Sequence, residues 1–97
     1  MKNQIHFAIQ IVPISTSNNL YKIIDEAIDV IKHSGLRYEV GPMETVVQGD
    51  YDAVLAVAKK AQEVCFDAGA DEIVVNMKVH ARKNSNVTWE EKNTGIR

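Results

Sequence analysis

Between Ile5 and Val12, Ile5, Phe7, Ile9 and Ile11 alternate with His6, Ala8, Gln10 and Val12. A period of two with β-branched enrichment predicts a strand with one apolar and one semi-polar face. Pro13 removes a ladder donor and marks its end. Ser15, Thr16, Ser17, Asn18 and Asn19 then offer side-chain oxygens suited to capping a helix. That helix is predicted by Leu20, Ile23, Ile24, Ala27, Ile28 and Ile31, which form one stripe, with Lys22, Asp25, Glu26, Asp29 and Lys32 on the other face. Gly35 supplies a left-handed stop, and His33 sits where the helix dipole favours a cation.

From Leu36 to Val40 the alternation returns, Gly41 and Pro42 mark a turn, and Met43 to Gln48 forms a further short strand. Two antiparallel strands joined by a tight connection are expected. Asp50 or Asp52 caps a second helix whose apolar stripe is Val54, Val57, Ala58, Ala61, Val64, Cys65 and Ala68, and Gly69 stops it. Ile73, Val75, Met77 and Val79 then alternate with Val74, Asn76, Lys78 and His80 as a fourth strand. Residues 81–97 read as a polar loop followed by a short terminal helix opening at Trp89 and capped by Asn86 or Thr88, weakened by Asn93, Thr94 and Gly95, with a neighbouring subunit as a source of order. Trp89 reads as a packing anchor.

The order is βαββαβ, and the two helix-then-strand segments after Ser34-Gly35 and Ala68-Gly69 echo one another. This predicts an α+β, ferredoxin-like domain over 1–97: a four-stranded antiparallel sheet with both helices on one face and a short C-terminal tail or helix. Ile5, Phe7, Ile9, Ile11, Ile73, Val75, Met77 and Val79 are expected to face the helices. The other face then carries Ala8, Gln10, Val12, Val74, Asn76 and Lys78, a mixed surface suited to association or ligand binding.

Composition narrows the function classes. Ninety-seven residues with 45% hydrophobic content suit one modest core, and oligomerisation would enlarge its margin. Eleven Lys and Arg against 13 Asp and Glu give a formal charge of −2, without the basic excess that phosphate-backbone binding needs. One cysteine, Cys65, excludes an internal disulfide, and its place on an apolar stripe predicts an inert buried thiol. No signal-peptide core and no spanning segment is read, so a cytoplasmic setting, no membrane partner and no nucleic-acid partner are expected.

A search for catalytic motifs is negative. The chain has no Gly-rich phosphate loop, nucleophile elbow, paired-histidine metal motif or clustered Cys/His set. His6 and His80 occupy semi-polar strand faces but lack a third metal ligand. The semi-polar face has no aromatic pair for stacking RNA bases, and the first loop has no paired cysteines for copper. No enzyme activity, cofactor or metal is expected.

One resemblance covers nearly the whole chain. Val12-Pro13-Ile14, the block from Ser34 to Gly49 with the pattern SGLxYxxxPMxTxxxG, Ala68-Gly69-Ala70 and Lys78-Val79-His80-Ala81-Arg82 resemble the small thiamine-binding protein family, formerly a family of unknown function. The resemblance implies a ferredoxin-like subunit, assembly into dimers or tetramers through sheet surfaces, and binding of thiamine or its hydroxymethylpyrimidine moiety without catalysis. The chain departs from the family in carrying Gln48 where members commonly have an acid and Ala81 where they often have an aspartate.

The residues suit such a ligand. An aminopyrimidine needs a donor and acceptor pair and a flat apolar surface, and a thiazolium adds a cation that carboxylates or aromatic faces attract. Gln10, Glu44, Thr45 and Asn76 are the candidate polar contacts and Tyr38 the candidate aromatic surface. The other readings are a core position for Tyr38, ordinary strand preference for Thr45 and subunit-interface hydrogen bonds for Gln10 and Asn76. At the level of function, the alternative is a structural or regulatory oligomeric protein-interaction module without a small ligand.

Overall fold

The computed structural model describes residues 3–15 and 19–92. Strand β1 (Ile5–Ile14) leads to helix α1 (Leu20–Lys32), strands β2 (Arg37–Val40) and β3 (Thr45–Gly49), helix α2 (Tyr51–Asp67), strand β4 (Glu72–His80) and a single turn, α3 (Trp89–Lys92). The sheet order is β2-β3-β1-β4 with every pair antiparallel. This is the expected ferredoxin-like architecture.

The period-two pattern of β1 places its apolar residues under the helices. Ile5, Phe7 and Ile9 are buried, and with Val47 they pack against Ile31 of α1 and Val54 and Ala58 of α2. A second cluster joins Ile23 and Ala27 of α1 to Ala61 and Cys65 of α2 and to Ala70. Small residues along α2 let it lie close to α1. Cys65 is fully buried and its Sγ donates to the Ala61 carbonyl, so burial pushes its thiol pKa up. That is the inert thiol expected from the stripe.

Helix ends follow local chemistry. Asp50 caps α2, accepting from the Ala53 N–H at 2.9 Å. Asn19 stands at the N-terminus of α1 without a side-chain cap hydrogen bond, and the expected cap residues Thr16, Ser17 and Asn18 lie outside the described residues. Gly35 and Gly69 hold φ of +83° and +113°, the positive φ predicted for the Gly35 stop and shared by the Gly69 stop. At the end of α1 the His33 ring donates from Nδ1 to the Asp29 carbonyl at 2.8 Å.

At two places the cover over a face differs from what strand parity alone conveys. Met77 and Val79 lie on the helix side, opposite Ile9 and Phe7, yet are 50% and 44% exposed. β4 is an edge strand, and the helices do not reach over its C-terminal half. Conversely, His6 was placed on the semi-polar face, and there it is 96% buried. The segment after β4 covers it: Val87 N–H donates to the Gln4 carbonyl, Gln4 N–H donates to Asn86 Oδ1, and Val87 and Trp89 are buried. Residues 86–89 are thus held against the start of the chain's own first strand. Asn93, Thr94 and Gly95 lie outside the described residues.

Candidate functional site

The turn between β2 and β3 builds one wall of a cleft against α1. Gly41 N–H donates to the Glu44 carbonyl at 2.9 Å, closing the turn just after Val40 and before Thr45, which are cross-strand partners. Only glycine suits position 41, since a Cβ there would stand 2.9 Å from the Glu44 carbonyl oxygen. The helix wall comes from the half-buried residues of the α1 stripe, Ile24 and Ile28, with Ala27 and Ile31 behind them. The cleft has a volume of about 230 Å³. Its polar lining includes Thr45, 93% buried on the helix side of β3, and Glu44.

The five candidate residues divide between the two faces of the sheet. Tyr38 shares a row with Val47, Phe7 and Val79 on the helix side, and Thr45 belongs to the next row with Val40, Ile9 and Met77. Gln10 and Asn76 are partners on the opposite face, where Asn76 Nδ2 donates to Gln10 Oε1 at 3.2 Å. Glu44 precedes β3, and its carboxylate pairs with Lys78 Nζ at 3.1 Å. Gln10, Glu44 and Thr45 contribute to the cleft lining, whereas Tyr38 and Asn76 stand outside it. The apolar wall on α1 was visible in the sequence as a helical stripe, but its role in a cleft depends on where the β2–β3 turn lies.

The opposite face is organised differently along its length. At one end Arg37, Gln48, His6 and His80 form a row across all four strands. Trp89 lies over it, its ring centroid 5.1 Å from that of His6, with the Arg37 guanidinium 4.9 Å from the indole. Arg37 also pairs with Glu90 at 3.0 Å. Thr88 and Glu91 form a capping box: Glu91 N–H donates to Thr88 Oγ1, and Thr88 N–H donates to Glu91 Oε1. Glu91 additionally receives both ends of the Arg82 guanidinium. Thr88 is therefore the cap, and Asn86 serves β1 instead.

At the other end Gln10 and Asn76, Val12 and Val74, and Ile14 and Glu72 pair, with no cover among the described residues. Val12, Ile14 and Val74 are 42–47% exposed. Among the described residues no three His, Cys, Asp or Glu side chains gather into a metal-holding group. No helix there is long and apolar enough to cross a membrane.

Comparison with known proteins places this arrangement. A UPF0045 protein of Clostridium perfringens is 38% identical over 85 residues, 88% of each chain. The structure of a domain of unknown function, DUF77, from Bacillus cereus superposes with a TM-score of 0.90 at 42% identity, over 94% of this chain and 88% of that one. A Thermotoga maritima protein assigned provisionally to thiamine biosynthesis or salvage superposes with a TM-score of 0.81 at 29% identity, over 93% and 95%. The family profile described as thiamine-binding protein matches residues 7–97, from the first strand through the covering segment and beyond. By sequence and by fold alike, the chain belongs to the thiamine-binding protein family.

Proposed function

We propose that this protein binds thiamine or its hydroxymethylpyrimidine moiety in the cleft between α1 and the β2–β3 turn, as a cytoplasmic, non-catalytic homo-oligomer. The observation that carries the reading is the pairing of an apolar wall, Ile24, Ala27, Ile28 and Ile31, with the buried Thr45 in one cleft, to whose lining Glu44 also contributes. A pyrimidine ring stacks against such a wall. Thr45 Oγ1 both donates and accepts, matching a ring nitrogen, and Glu44 accepts from an exocyclic amine or attracts a thiazolium. The Glu44 carboxylate reaches Lys78 on the far face of the sheet in a partly exposed pair, so it serves a ligand in the cleft by exchanging that partner for the ligand cation or amine. The family match and the provisional assignment of the Thermotoga maritima relative support the choice of ligand.

Calorimetric titration tests it directly. Thiamine or hydroxymethylpyrimidine at about 100 times its dissociation constant should stabilise the fold by about 2.7 kcal/mol. Replacing Thr45 by Val should weaken binding about tenfold by leaving one ring nitrogen unmet. Absence of heat and of thermal shift with either compound would sink the reading.

Self-association is supported by the β4 edge. Nine residues long, it exposes Val74, Met77 and Val79, and long uncovered apolar edges are rarely left to solvent. Sedimentation at low concentration should give a dimer or tetramer, and a stable monomer would remove this part of the proposal. A defined oligomer that binds no thiamine would favour the assembly-module reading.

A further inference from the structure

β1 outruns the strand on one of its sides. β4 pairs with it from His6 to Ile14, whereas β3 pairs with it only from Ile5 to Ile9. Beyond Ile9 the β3-side edge of β1 has no strand neighbour, because β3 begins at Thr45 and residues 41–44 turn toward β2. The α1 cleft opens at this gap, and Ile9, Gln10 and Ile11 all line it. Consecutive strand residues point to opposite faces of a sheet, so a cleft that touches all three meets β1 along its edge.

The register fixes which backbone groups face the gap. Gly41 N–H donates to the Glu44 carbonyl, so Glu44 presents its backbone to β2. Backbone groups of successive strand residues point to opposite edges, so Thr45 presents its own to β1, where Ile9 is its partner. Along β1 the odd positions therefore address the β3 side and the even positions address β4. Two observations agree with that parity. The Ile14 carbonyl accepts from the Asp71 N–H on the β4 side. Pro13, which has no N–H, sits within the β1–β4 register opposite Ile73, a place that suits proline only where its nitrogen faces away from the partner strand. Ile11 thus directs both its N–H and its C=O into the gap, and among the described residues neither has a hydrogen-bond partner there.

We propose, resting on the binding proposed for this cleft, that the main chain of Ile11 recognises the aminopyrimidine: the Ile11 carbonyl accepts from the exocyclic amine, and the Ile11 N–H donates to the adjacent ring nitrogen. The ring takes the place that a further residue of β3 would fill. Bonded in this way it lies in the plane of the sheet, with one face toward Ile24 and Ile28 of α1, the apolar wall of the same cleft. The ligand class is therefore a planar heterocycle with an amine beside an unprotonated ring nitrogen. A ring with a carbonyl in place of the amine sets acceptor against acceptor at the Ile11 oxygen and is refused.

Amide hydrogen exchange of the full chain, followed by NMR, tests the contact. Without ligand the Ile11 amide should exchange faster than those of Gln10 and Val12, which belong to the ladder with β4, and saturating thiamine should slow it to their level. Because a ligand lying nearby also shields an amide, a second measurement isolates the bond. Replacing the amide nitrogen of residue 11 by an ester oxygen, with the isoleucine side chain kept, should weaken thiamine about threefold to tenfold. Oxythiamine, which carries a carbonyl where thiamine carries the amine, should bind the unaltered chain at least about tenfold more weakly than thiamine. If thiamine binds while the Ile11 amide stays fast, or binds the ester as tightly as the natural chain, main-chain recognition is overturned and the cleft keeps its ligand. Oxythiamine binding as tightly as thiamine overturns the selection for the amine. Absence of binding by thiamine and hydroxymethylpyrimidine alike removes the ligand from the cleft and this contact with it.

Discussion

The two ends of the uncovered sheet face are built by the same strands with the same side-chain parity, yet one behaves as a core and the other as a surface. Around His6, the segment bearing Val87 and Trp89 adds a layer that excludes water and brings Arg37 to Glu90 and Arg82 to Glu91 as two ion pairs. Around Asn76, four residues farther along β4, no described residue provides such a layer, and Val12, Val74 and Ile14 remain exposed. Strand periodicity decides which face a residue joins. What lies over that face is decided by chain more than 80 residues away, as the hydrogen bonds from Val87 and Asn86 to Gln4 show.

Trp89→Ala puts the largest strain on this comparison. Removing the indole opens a cavity over His6 and takes away the surface on which Arg37 stacks, at an expected cost of about 3–5 kcal/mol in urea unfolding. Val74→Ala, at the bare end, should cost less than about 0.5 kcal/mol in the isolated subunit. Similar losses for the two variants would mean that the ends do not differ in packing.

A smaller effect separates the ends by pH. His6 is held below its ordinary value of 6.5 by burial, so the unfolded chain takes up its proton first on acidification. Stability is therefore full above about 6.5 and declines as pH falls from there through the lowered native value. Glu91 adds a second stage. The Arg82 guanidinium and the Thr88 N–H hold its carboxyl well below the ordinary 4.5, so its contribution is present above that value and fades as pH falls through the native one. Acid unfolding followed by circular dichroism should show both declines in wild type. His6→Gln should remove the upper one and Arg82→Gln should diminish the lower one, while Val74→Ala keeps both. An acid profile unchanged by Arg82→Gln would show that the covering segment is held by Val87 and Trp89 without help from its charges.

The architecture was legible in the sequence because it rests on short-range pattern: the alternation of β1, the stripe Ile23, Ala27 and Ile31, the Asp50 cap and the glycine stops each act within a turn or two of chain. The site was legible only in part. Glu44 and Thr45 were identified as polar residues of the right chemistry, but consecutive residues at a strand start point to opposite faces, and both contribute to the cleft lining. Tyr38 was offered as the aromatic surface, and its alternation with Leu36 and Val40 fixes its face without saying that the cleft begins one row beyond it. The burial of His6 had no local signal. Its neighbours Ile5 and Phe7 declare one face of the strand, and nothing near residue 6 announces Trp89.

The smallest expected effect bears on the bare end itself. Gln10 and Asn76 meet across β1 and β4 through one hydrogen bond of 3.2 Å in an exposed setting, where water replaces either partner at little cost. Asn76→Ala should therefore change the stability of a monomeric subunit by less than about 0.5 kcal/mol. If subunits associate through this face, the same variant removes a polar group that must be satisfied once Val12 and Val74 of two copies exclude water, and the cost rises to about 1–3 kcal/mol. Measuring the unfolding midpoint against protein concentration distinguishes the two settings. A loss that grows with concentration places Asn76 within a subunit interface and makes the bare end the counterpart of the covered one, closed by another chain instead of by Trp89. A small loss independent of concentration leaves Gln10 and Asn76 as solvent-facing strand residues and confines association to the β4 edge.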